Sequence, residues 1–414
     1  MSVCGENGSV ITYTTAMEII MNYIDFLNMD KLSDSENVSS SVQLFFAGDV
    51  VLTQKLRVPL IRSDLKNQIQ NCDVLCCNFE APIACAGAKN EPKVGPSLTQ
   101  CIETATTVRN ADINLVTLAN NHIMDIGPKG LGETLKVMRL LNISTIGAGM
   151  NQDDAFRPYI FEKNGFRIGI LSVAENGYGT SIQKDIPGYA WFGAERFQRA
   201  KKALLEECTH VIIVCHGGAE KCEFPLPEYR NLYRGWIDEG VSAVIAHHPH
   251  VPQGWEQYRE GLIFYSLGNF AFNKGLGIQD PETISVKLDI LPSGGMRGII
   301  IPTIYTDEGV GINNSSDFQK HMNDCCNMLG EGYLKRAEEF CVEAYQKKYR
   351  NYYESVVNLY TGSVKRWIKT IVYRWIKHQK FSELWLYHNL LIETHYWICR
   401  RALDSLQNGG GNNE

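Results

Sequence analysis

The run VQLFFAGDVV, residues 42–51, is almost entirely apolar and carries a single carboxylate, Asp49, near its end. A run of strand length that is apolar on both faces is typical of a β-strand covered on both sides. Seven further runs share this character, and stretches of helical period separate them. The runs are 73–79, 113–119, 143–148, 166–174, 209–216, 241–248 and 261–270, and helices are predicted at 129–141, 194–207 and 227–239. Strands alternating with helices predict a layered α/β domain.

Composition and charge exclude several classes of protein. The chain has 414 residues, 44% hydrophobic and 21% charged, which is the composition of a folded protein rather than a disordered one. The net charge of −6 does not indicate a general nucleic-acid-binding protein. No apolar stretch is long enough to span a membrane, and no signal peptide is evident. The 13 cysteines have irregular spacings and predict reduced thiols, so a cytoplasmic location is expected.

Shifts in composition predict four segments. Residues 1–40 are polar and form a leader, with a short helix expected around residues 15–27, and residues 41–306 form the α/β domain. Residues 317–405 form an aromatic and basic helical extension, followed by a disordered tail at 406–414. Residues 345–401 of this extension contain eleven Lys or Arg and three Glu, a local net charge of +8.

The segment 363–380, within the extension, has an amphipathic pattern at helical spacing. Trp367, Ile371 and Trp375 belong to one apolar stripe, and Lys369 and Lys377 lie on the opposite face. Three interpretations are open. The favoured one is a helical cap whose stripe packs on the α/β domain; the others are peripheral contact with an anionic membrane and binding of a polyanion. A nucleic-acid partner is not expected.

Two histidine-containing motifs follow apolar runs and indicate chemistry. AHHPHVPQ places His247, His248 and His250 within four positions, and the proline holds the chain extended or turned there. In an extended segment His248 and His250 would face the same side. LANNHIMD supplies Asn121, whose carbonyl oxygen is a neutral hard ligand, and His122, which can protonate a leaving group.

Three more strand ends carry polar groups. HGGAE supplies His216 and Glu220, GDVV supplies Asp49, and CNFEAP supplies Glu80. Ligands bind at the carboxyl ends of strands in open α/β sheets, so these side chains are expected to converge. Two acids, one amide and several imidazoles suffice for two adjacent divalent metals that share a bridging carboxylate. The mixture of nitrogen and oxygen ligands favours Mn²⁺, Fe or Zn²⁺, with one or two ions expected.

The order of these motifs resembles the bacterial capsule-synthesis protein CapA/PgsA family, a branch of the calcineurin-like metallophosphatases. The motifs are GD at 48–49, NFE at 78–80, ANNH with D-x-G at 119–127, H-x-G-x-E at 216–220, HHPH at 247–250 and SLGNF at 266–270. The resemblance covers roughly residues 42–305 and implies a metallophosphatase-like sandwich of two sheets flanked by helices, followed here by the C-terminal helical extension.

The resemblance also implies a role for each site residue. Asp49 and His250 would bind a first metal, Glu80 would bridge, and Asn121, His216 and His248 would bind a second metal. His122 would be the acid or the stabiliser of the transition state, and Glu220 would be an acid beside the metals. The wider superfamily has Asp-x-His in its first motif, whereas this chain has Val51 at the third position. The first metal would therefore lose a ligand.

The expected function is biosynthesis of a capsule or surface polymer of the poly-γ-glutamate type, with a metal-dependent phosphoesterase-like hydrolytic site. The alternative is a non-catalytic component that binds metal or polymer within a capsule synthesis complex. Expected partners are a phosphorylated or polymeric envelope precursor, a capsule synthase, and a membrane surface contacted peripherally through residues 363–380.

Overall fold

The computed structural model of the chain describes residues 23–26, 41–273, 279–350 and 380–409. Its strands are β1 Tyr23–Phe26, β2 Val42–Leu52, β3 Val74–Phe79, β4 Leu115–Thr117, β5 Ser144–Ile146, β6 Ala148–Gly149, β7 Tyr159–Lys163, β8 Phe166–Ala174, β9 Gly188–Tyr189, β10 His210–His216, β11 Ala243–His247, β12 Trp255–Tyr258, β13 Gly261–Phe264, β14 Asn269–Asn273, β15 Glu282–Ile290, β16 Met296–Thr306 and β17 Gly309–Ile312. Its α-helices are α1 Ser63–Ile69, α2 Ile102–Asn110, α3 Gly127–Leu140, α4 Gln152–Ala155, α5 Glu195–Glu207, α6 Pro227–Asp238, α7 Ser316–Asn327, α8 Tyr333–Ala344, α9 Lys380–Leu391 and α10 Glu393–Gly409.

The first sheet is mixed and has β2 near its centre. Its strand order is β1-β16-β15-β2-β3-β4-β5, with β17 beside β16. Strands β2, β3, β4 and β5 are parallel, so their carboxyl ends lie along one edge. On the other side of β2, the antiparallel strand β15 pairs with its first half and the parallel strand β14 with its second half. This arrangement leaves Asp49 between two parallel neighbours.

The second sheet has the order β12-β13-β11-β10-β8-β7. Its four central strands are parallel, and an antiparallel strand pairs at each edge. In register, His216 at the end of β10 lies opposite His247 at the end of β11. The strand ends that carry histidine therefore lie side by side in this sheet, which is the arrangement expected at the carboxyl edge of parallel strands.

Alternating side chains of β2 face two different hydrophobic cores. Leu44 and Phe46 pack between the sheets against strands β8, β10 and β11. Phe45 faces the other way, into a core shared with helices α1, α2 and α3. The outer face of the second sheet is covered by α5 and α6, and by α8 and α10 from the C-terminal part. Helices cover both outer faces, which explains why the strands read as continuous apolar runs. The predicted two-sheet α/β sandwich flanked by helices is confirmed.

Two of the described helices after residue 315, α8 and α10, pack on the outer face of the second sheet. Cys341 of α8 and Ile398 and Ala402 of α10 are buried in the core on its outer face. The predicted stripe at 363–380 lies outside the described residues, apart from the backbone of Lys380. The four-segment division stays a prediction. None of the helices in the described ranges is long and apolar enough to cross a bilayer.

Two expectations about local structure are wrong. The run 261–270 is not one strand, because β13 pairs in the second sheet and β14 in the first. Gly268, at φ +79°, turns the chain between them in a conformation that L-residues rarely adopt. The helix expected around residues 15–27 is wrong over β1, which pairs with β16 in parallel. Tertiary pairing overrides local propensity there.

Candidate metal centre

Strand ends from both sheets meet at one cleft. The first sheet contributes Asp49 from β2 and Glu80, which directly follows β3. The second sheet contributes His216 at the end of β10, and His248 and His250 just after β11. All five residues are buried except His250, which is half-buried. The predicted convergence is therefore present in the structure.

The first group of ligand atoms belongs to Asp49, Glu80 and His250, with all three atoms within 4.8 Å of one another. Nδ1 of His250 lies 3.5 Å from Oδ2 of Asp49, and its Nε2 lies 3.6 Å from Oε1 of Glu80. Oδ1 of Asn269 lies 3.0 Å from the same Nδ1. Two carboxylates and one imidazole can hold a divalent ion.

The second group consists of Glu80, His216 and His248, again within 4.8 Å. Nε2 of His216 lies 3.0 Å from Nδ1 of His248 and 3.7 Å from Oε1 of Glu80. Oδ1 of Asn121 lies 3.0 Å from the same Nε2. Four ligands at about 2.0–2.1 Å from a tetrahedral ion would lie about 3.4 Å apart, close to these separations. Asn121 is thus placed with the second group, as the resemblance implied.

Three carboxylate oxygens in this cleft indicate a binding site for a cation. Oδ2 of Asp49 and both oxygens of Glu80 are buried without a hydrogen-bond partner. Burying an ionised carboxylate without a partner is costly, and a bound cation removes that cost. Glu80 belongs to both groups, so its carboxylate can bridge two ions. The described residues therefore fit a divalent metal site.

The pKa values of the histidines follow from burial and from the two acids. Burial lowers the pKa of His216 well below its ordinary value and that of His248 to about 4, so both rings are neutral and offer lone pairs. Burial opposes a charge on His250 as well, but Glu80 and Asp49 raise its pKa to about 10. Burial and the nearby Asp49 raise the pKa of Glu80 well above its ordinary value.

Around HHPH the backbone is turned rather than extended. His248 has φ +100° and His250 has φ +62°, both in the region that non-glycine residues avoid. Each such residue costs about 1–3 kcal/mol, and such strain is common at ligand sites. Of the two conformations expected here, extended or turned, the turned one is present, and both rings face the same cleft with their centroids 5.9 Å apart. They reach different groups of ligands, which share only Glu80.

His122 lies beside these groups and is oriented by Asp125. Its Nδ1 is 2.7 Å from Oδ2 of Asp125, and Nζ of Lys93 is 3.3 Å from the same nitrogen and also pairs with Asp125. The backbone N–H of Leu98 donates to Oδ2 of Asp125 at 2.7 Å. Burial lowers the pKa of His122. With Nδ1 held by Asp125, the ring keeps Nε2 for proton transfer.

Glu220 is exposed and belongs to neither group of ligand atoms. It follows Gly217 and Gly218, and Gly218 has φ +126°, so the chain turns sharply between His216 and this acid. Although desolvation opposes it, electrostatic interaction with the nearby imidazoles, those of His248 and His250 foremost, lowers the pKa of Glu220 to about 2. Glu220 is therefore an anion, and its expected role as an acid beside the metals stays a prediction.

Position 51, where the superfamily has a histidine, is filled by apolar packing. Val51 is fully buried in a small cluster with Ala81, Leu98 and Phe272. The ring of Phe272 contacts His250 at a centroid distance of 5.2 Å. None of these four side chains can bind a metal, so the first group of candidate ligand atoms gains no member at position 51.

Several residues around the cleft were not assigned a role from the sequence. Asn78 donates to Oδ1 of Asp49 at 2.8 Å and lies 3.1 Å from Nδ1 of His216, so it positions a residue of each sheet. Glu175 directly follows β8, and its Oε1 lies 3.7 Å from Nε2 of His248. Its Oε2 accepts hydrogen bonds from Tyr229 and from the backbone and side chain of Thr394. The rule that polar residues end apolar strands could have found Glu175; no local signal marks Lys93.

The close approach of β14 to β2 also has a reason in the sequence. A Cβ at Gly48 would lie 2.0 Å from the carbonyl oxygen of Gly268, so only glycine fits there. The N–H of Asp49 donates to that carbonyl at 3.0 Å. SLGNF is therefore a structural motif in this chain, and its Asn269 also lies beside His250.

The proteins to which this chain is clearly similar in sequence include capsule synthesis proteins. The sequence profile described as "Bacterial capsule synthesis protein PGA_cap" matches residues 43–274, a range that contains every predicted site residue. The "Capsule biosynthesis protein CapA" of Bacillus anthracis is 31% identical over 214 residues, 50% of this chain and 52% of that protein. The "PGA biosynthesis protein CapA" of Bacillus subtilis strain 168 is 30% identical over 205 residues, 49% of this chain and 54% of that protein. The match thus spans about half the length of these relatives.

Among solved structures, a phosphatase from Mycoplasma pneumoniae is 14% identical with a TM-score of 0.39, covering 68% of this chain and 96% of that one. At this TM-score the likeness is loose, and the fold assignment rests on the sheets described above. More than half of the chain matches the family profile, in the order of motifs expected. The chain belongs to the bacterial capsule synthesis protein family.

Proposed function

We propose that the cleft is a metal-dependent hydrolytic site that acts on a phosphate ester during synthesis of a capsule or surface polymer. The observation that carries this proposal is Glu80, a fully buried carboxylate shared by two groups of ligand atoms and without a hydrogen-bond partner. A bridging carboxylate between two ions is the arrangement that clamps a phosphoryl group.

Each residue of the site has a proposed role. Asp49, Glu80 and His250 would hold one ion, and Glu80, Asn121, His216 and His248 the other. A divalent ion there would act as a Lewis acid on a phosphoryl oxygen and would ease deprotonation of water. His122, held through Nδ1 by Asp125, would deliver a proton to the leaving oxygen. The nitrogen and oxygen ligands favour Mn²⁺, Fe or Zn²⁺.

The biological setting comes from the family and from the names of the relatives. Two relatives are named for capsule or PGA biosynthesis, and both belong to species of Bacillus. The proposed substrate is therefore a phosphorylated or polymeric precursor of the envelope, and the proposed partner is a capsule synthase on the cytoplasmic side. Peripheral membrane contact through residues 363–380 is part of this proposal, and flotation with anionic vesicles tests it: equal soluble fractions with and without vesicles would contradict it.

The apolar packing around Val51 favours a second candidate function. With a ligand missing from the first group, the cleft could bind one metal and serve as a non-catalytic component of the synthesis complex. Hydrolysis distinguishes the two functions, because a binding component has no need of the proton donor His122.

The test combines metal content with hydrolysis. Protein purified without chelator is analysed for metals, as the wild type and as His248→Ala and His122→Ala. We expect at least one ion per chain fewer in His248→Ala and no loss in His122→Ala. With Mn²⁺ present, hydrolysis of p-nitrophenyl phosphate or its bis ester should fall by about 10²- to 10⁴-fold in His122→Ala, the range typical of a lost acid catalyst.

Two results would contradict the hydrolytic function. One is normal metal binding by the wild type with no hydrolysis of either ester, which would favour the non-catalytic component. The other is hydrolysis that is equal in the wild type and His122→Ala, which would show that a contaminant or another site is responsible. Because metal content is compared as a difference, ions bound elsewhere on the chain do not affect the result.

A further inference from the structure

A second set of metal-binding side chains lies outside the cleft, where helix α7 faces the loop before α6. Glu223 in that loop and His321 and Cys325 on α7 each offer one ligand atom, and the three atoms lie within 4.8 Å of one another. None of them belongs to the groups around Glu80. We propose that these residues form a zinc-binding site, called here the clamp site, which ties α7 to the loop at residues 217–226.

Helix α7 presents its two ligands in a fixed arrangement. His321 and Cys325 are four residues apart, so they lie on the same face of the helix. The hydroxyl of Ser315 caps the helix by accepting from the N–H of Phe318 at 3.2 Å. Phe318 and Met322 are buried in the core between the sheets, and Cys325 is fully buried with them. The ligands are therefore held in position by packing that does not depend on a metal.

The distances between the ligand atoms suit a tetrahedral ion. Nε2 of His321 lies 3.8 Å from Sγ of Cys325 and 3.6 Å from Oε1 of Glu223. Zinc bonds of about 2.0 Å to nitrogen or oxygen and about 2.3 Å to sulfur place tetrahedral ligands about 3.3–3.6 Å apart. The two distances from His321 exceed these values by a few tenths of an ångström, and the third, between Cys325 and Glu223, is at most 4.8 Å. The side chains of His321 and Glu223 are 40% and 48% exposed, which leaves room for a water molecule as the fourth ligand.

The chemistry of these ligands differs from that of the cleft. Neither group around Glu80 contains a cysteine, whereas the clamp site combines a thiolate, an imidazole and a carboxylate. A soft sulfur ligand beside a nitrogen ligand selects Zn²⁺ over Mn²⁺ or Mg²⁺. A simple surface ion pair between His321 and Glu223 would explain two of the residues and would contribute little to stability. It does not explain the thiol on the same side of His321.

The position of the clamp site indicates what a bound ion would do. The loop at 217–226 begins at the end of β10 and carries Glu220. The side chain of Gln253 donates to the carbonyl oxygen of Cys222 at 2.8 Å, and the N–H of Lys221 donates to that of Pro249, so the loop also contacts the HHPH turn. An ion that holds α7 to this loop would stabilise one wall of the cleft. Its role is structural, and it is independent of hydrolysis.

Cobalt spectroscopy can observe this site alone. Full-length protein freed of metal with chelator is titrated with Co²⁺, and absorption from sulfur-to-cobalt charge transfer is recorded. We expect this absorption in the wild type, its displacement by Zn²⁺, and its loss in Cys325→Ser. The matched control is Cys326→Ser, which changes the neighbouring half-buried thiol and should keep the absorption. His248→Ala should also keep it, because the cleft supplies no sulfur.

A second pair of variants distinguishes the loss of a ligand from misfolding. Cys325 is fully buried, and its replacement could disturb the core. His321→Ala and Glu223→Gln change half-exposed side chains, and each should weaken Co²⁺ binding about tenfold or more while the melting temperature without metal is kept. The proposal is overturned if the wild type shows no charge-transfer absorption, if Cys325→Ser retains it, or if neither His321→Ala nor Glu223→Gln weakens binding.

Discussion

Glu256, which is half-buried, and Glu80, which is fully buried, are glutamates in very different surroundings. Glu256, in β12, accepts hydrogen bonds from Arg230 at 2.9 Å, from Arg234 at 2.8 Å and 2.7 Å, and from Tyr265. Glu80, in the candidate metal centre, is fully buried and accepts none. Both lie on the sandwich, yet only the carboxylate oxygens of Glu256 accept hydrogen bonds.

The pKa values express this difference. Although desolvation opposes it, Arg234, Arg230 and Tyr265 lower the pKa of Glu256 to about 2. Burial and Asp49 raise the pKa of Glu80 well above its ordinary value. A carboxylate whose oxygens are all used stabilises the fold, whereas one left without partners is prepared for a ligand. The comparison separates structural acids from functional ones, and it can be tested at each of them.

The largest effect is expected at Glu80. Glu80→Gln keeps the shape of the side chain but removes the charge that two ions would share, so bound metal should be lost and hydrolysis should fall by about 100-fold or more. In the presence of chelator the variant should be at least as stable as the wild type, because a buried carboxylate without a hydrogen-bond partner has been removed. Elemental analysis and calorimetry with chelator measure both. Unchanged metal content in Glu80→Gln would contradict the proposal that Glu80 is a shared ligand.

A smaller effect, on stability alone, is expected at Glu256. Glu256→Gln leaves Arg230 and Arg234 with a neutral partner in a largely buried position, and should lower the free energy of unfolding by about 2–3 kcal/mol. Metal content and hydrolysis should not change. Urea unfolding gives the stability, with Glu80→Gln as the reciprocal control. A variant as stable as the wild type would show that the Arg–Glu contacts are energetically neutral.

The smallest effect is the pH dependence of that stability. Because the pKa of Glu256 is lowered from 4.5 to about 2 in the folded chain, its contribution is complete above pH 4.5 and is lost as the pH falls towards 2. The difference in unfolding free energy between the wild type and Glu256→Gln should therefore shrink between pH 4.5 and pH 2. Urea unfolding of both proteins at several pH values measures this. A difference that stays constant or grows in acid would contradict the assignment.

Much of the site was predictable because its residues end apolar strands. Asp49, Glu80, His216 and His248 follow runs that are recognisable by composition, and the parallel sheets bring such ends together. Their roles as ligands stay predictions until metal is measured. Glu175 follows the same rule after β8, yet its carboxylate accepts a hydrogen bond from Thr394, which is 219 residues away in the chain. No local pattern could have linked the two.

Other features depend on how the two sheets pack. The run 261–270 reads as one strand, but its halves pair in different sheets, and the turn at Gly268 brings β14 against Asp49. The clamp site likewise joins residues about 100 positions apart, which only the packing of α7 on the domain places together. Such contacts arise from long-range burial, which period and propensity do not encode.

By itself, the sequence determined the class of fold, the family and the strand ends that carry chemistry, because these follow from local hydrophobic period and from the order of short motifs. Only the tertiary structure decided which acids are balanced and which are not. Glu256 and Glu80 are both glutamates beside apolar residues in the sequence. One meets two arginines from α6 and the other meets histidines from the opposite sheet. The partners of a buried charge are chosen by packing between distant segments, and that choice separates stability from function.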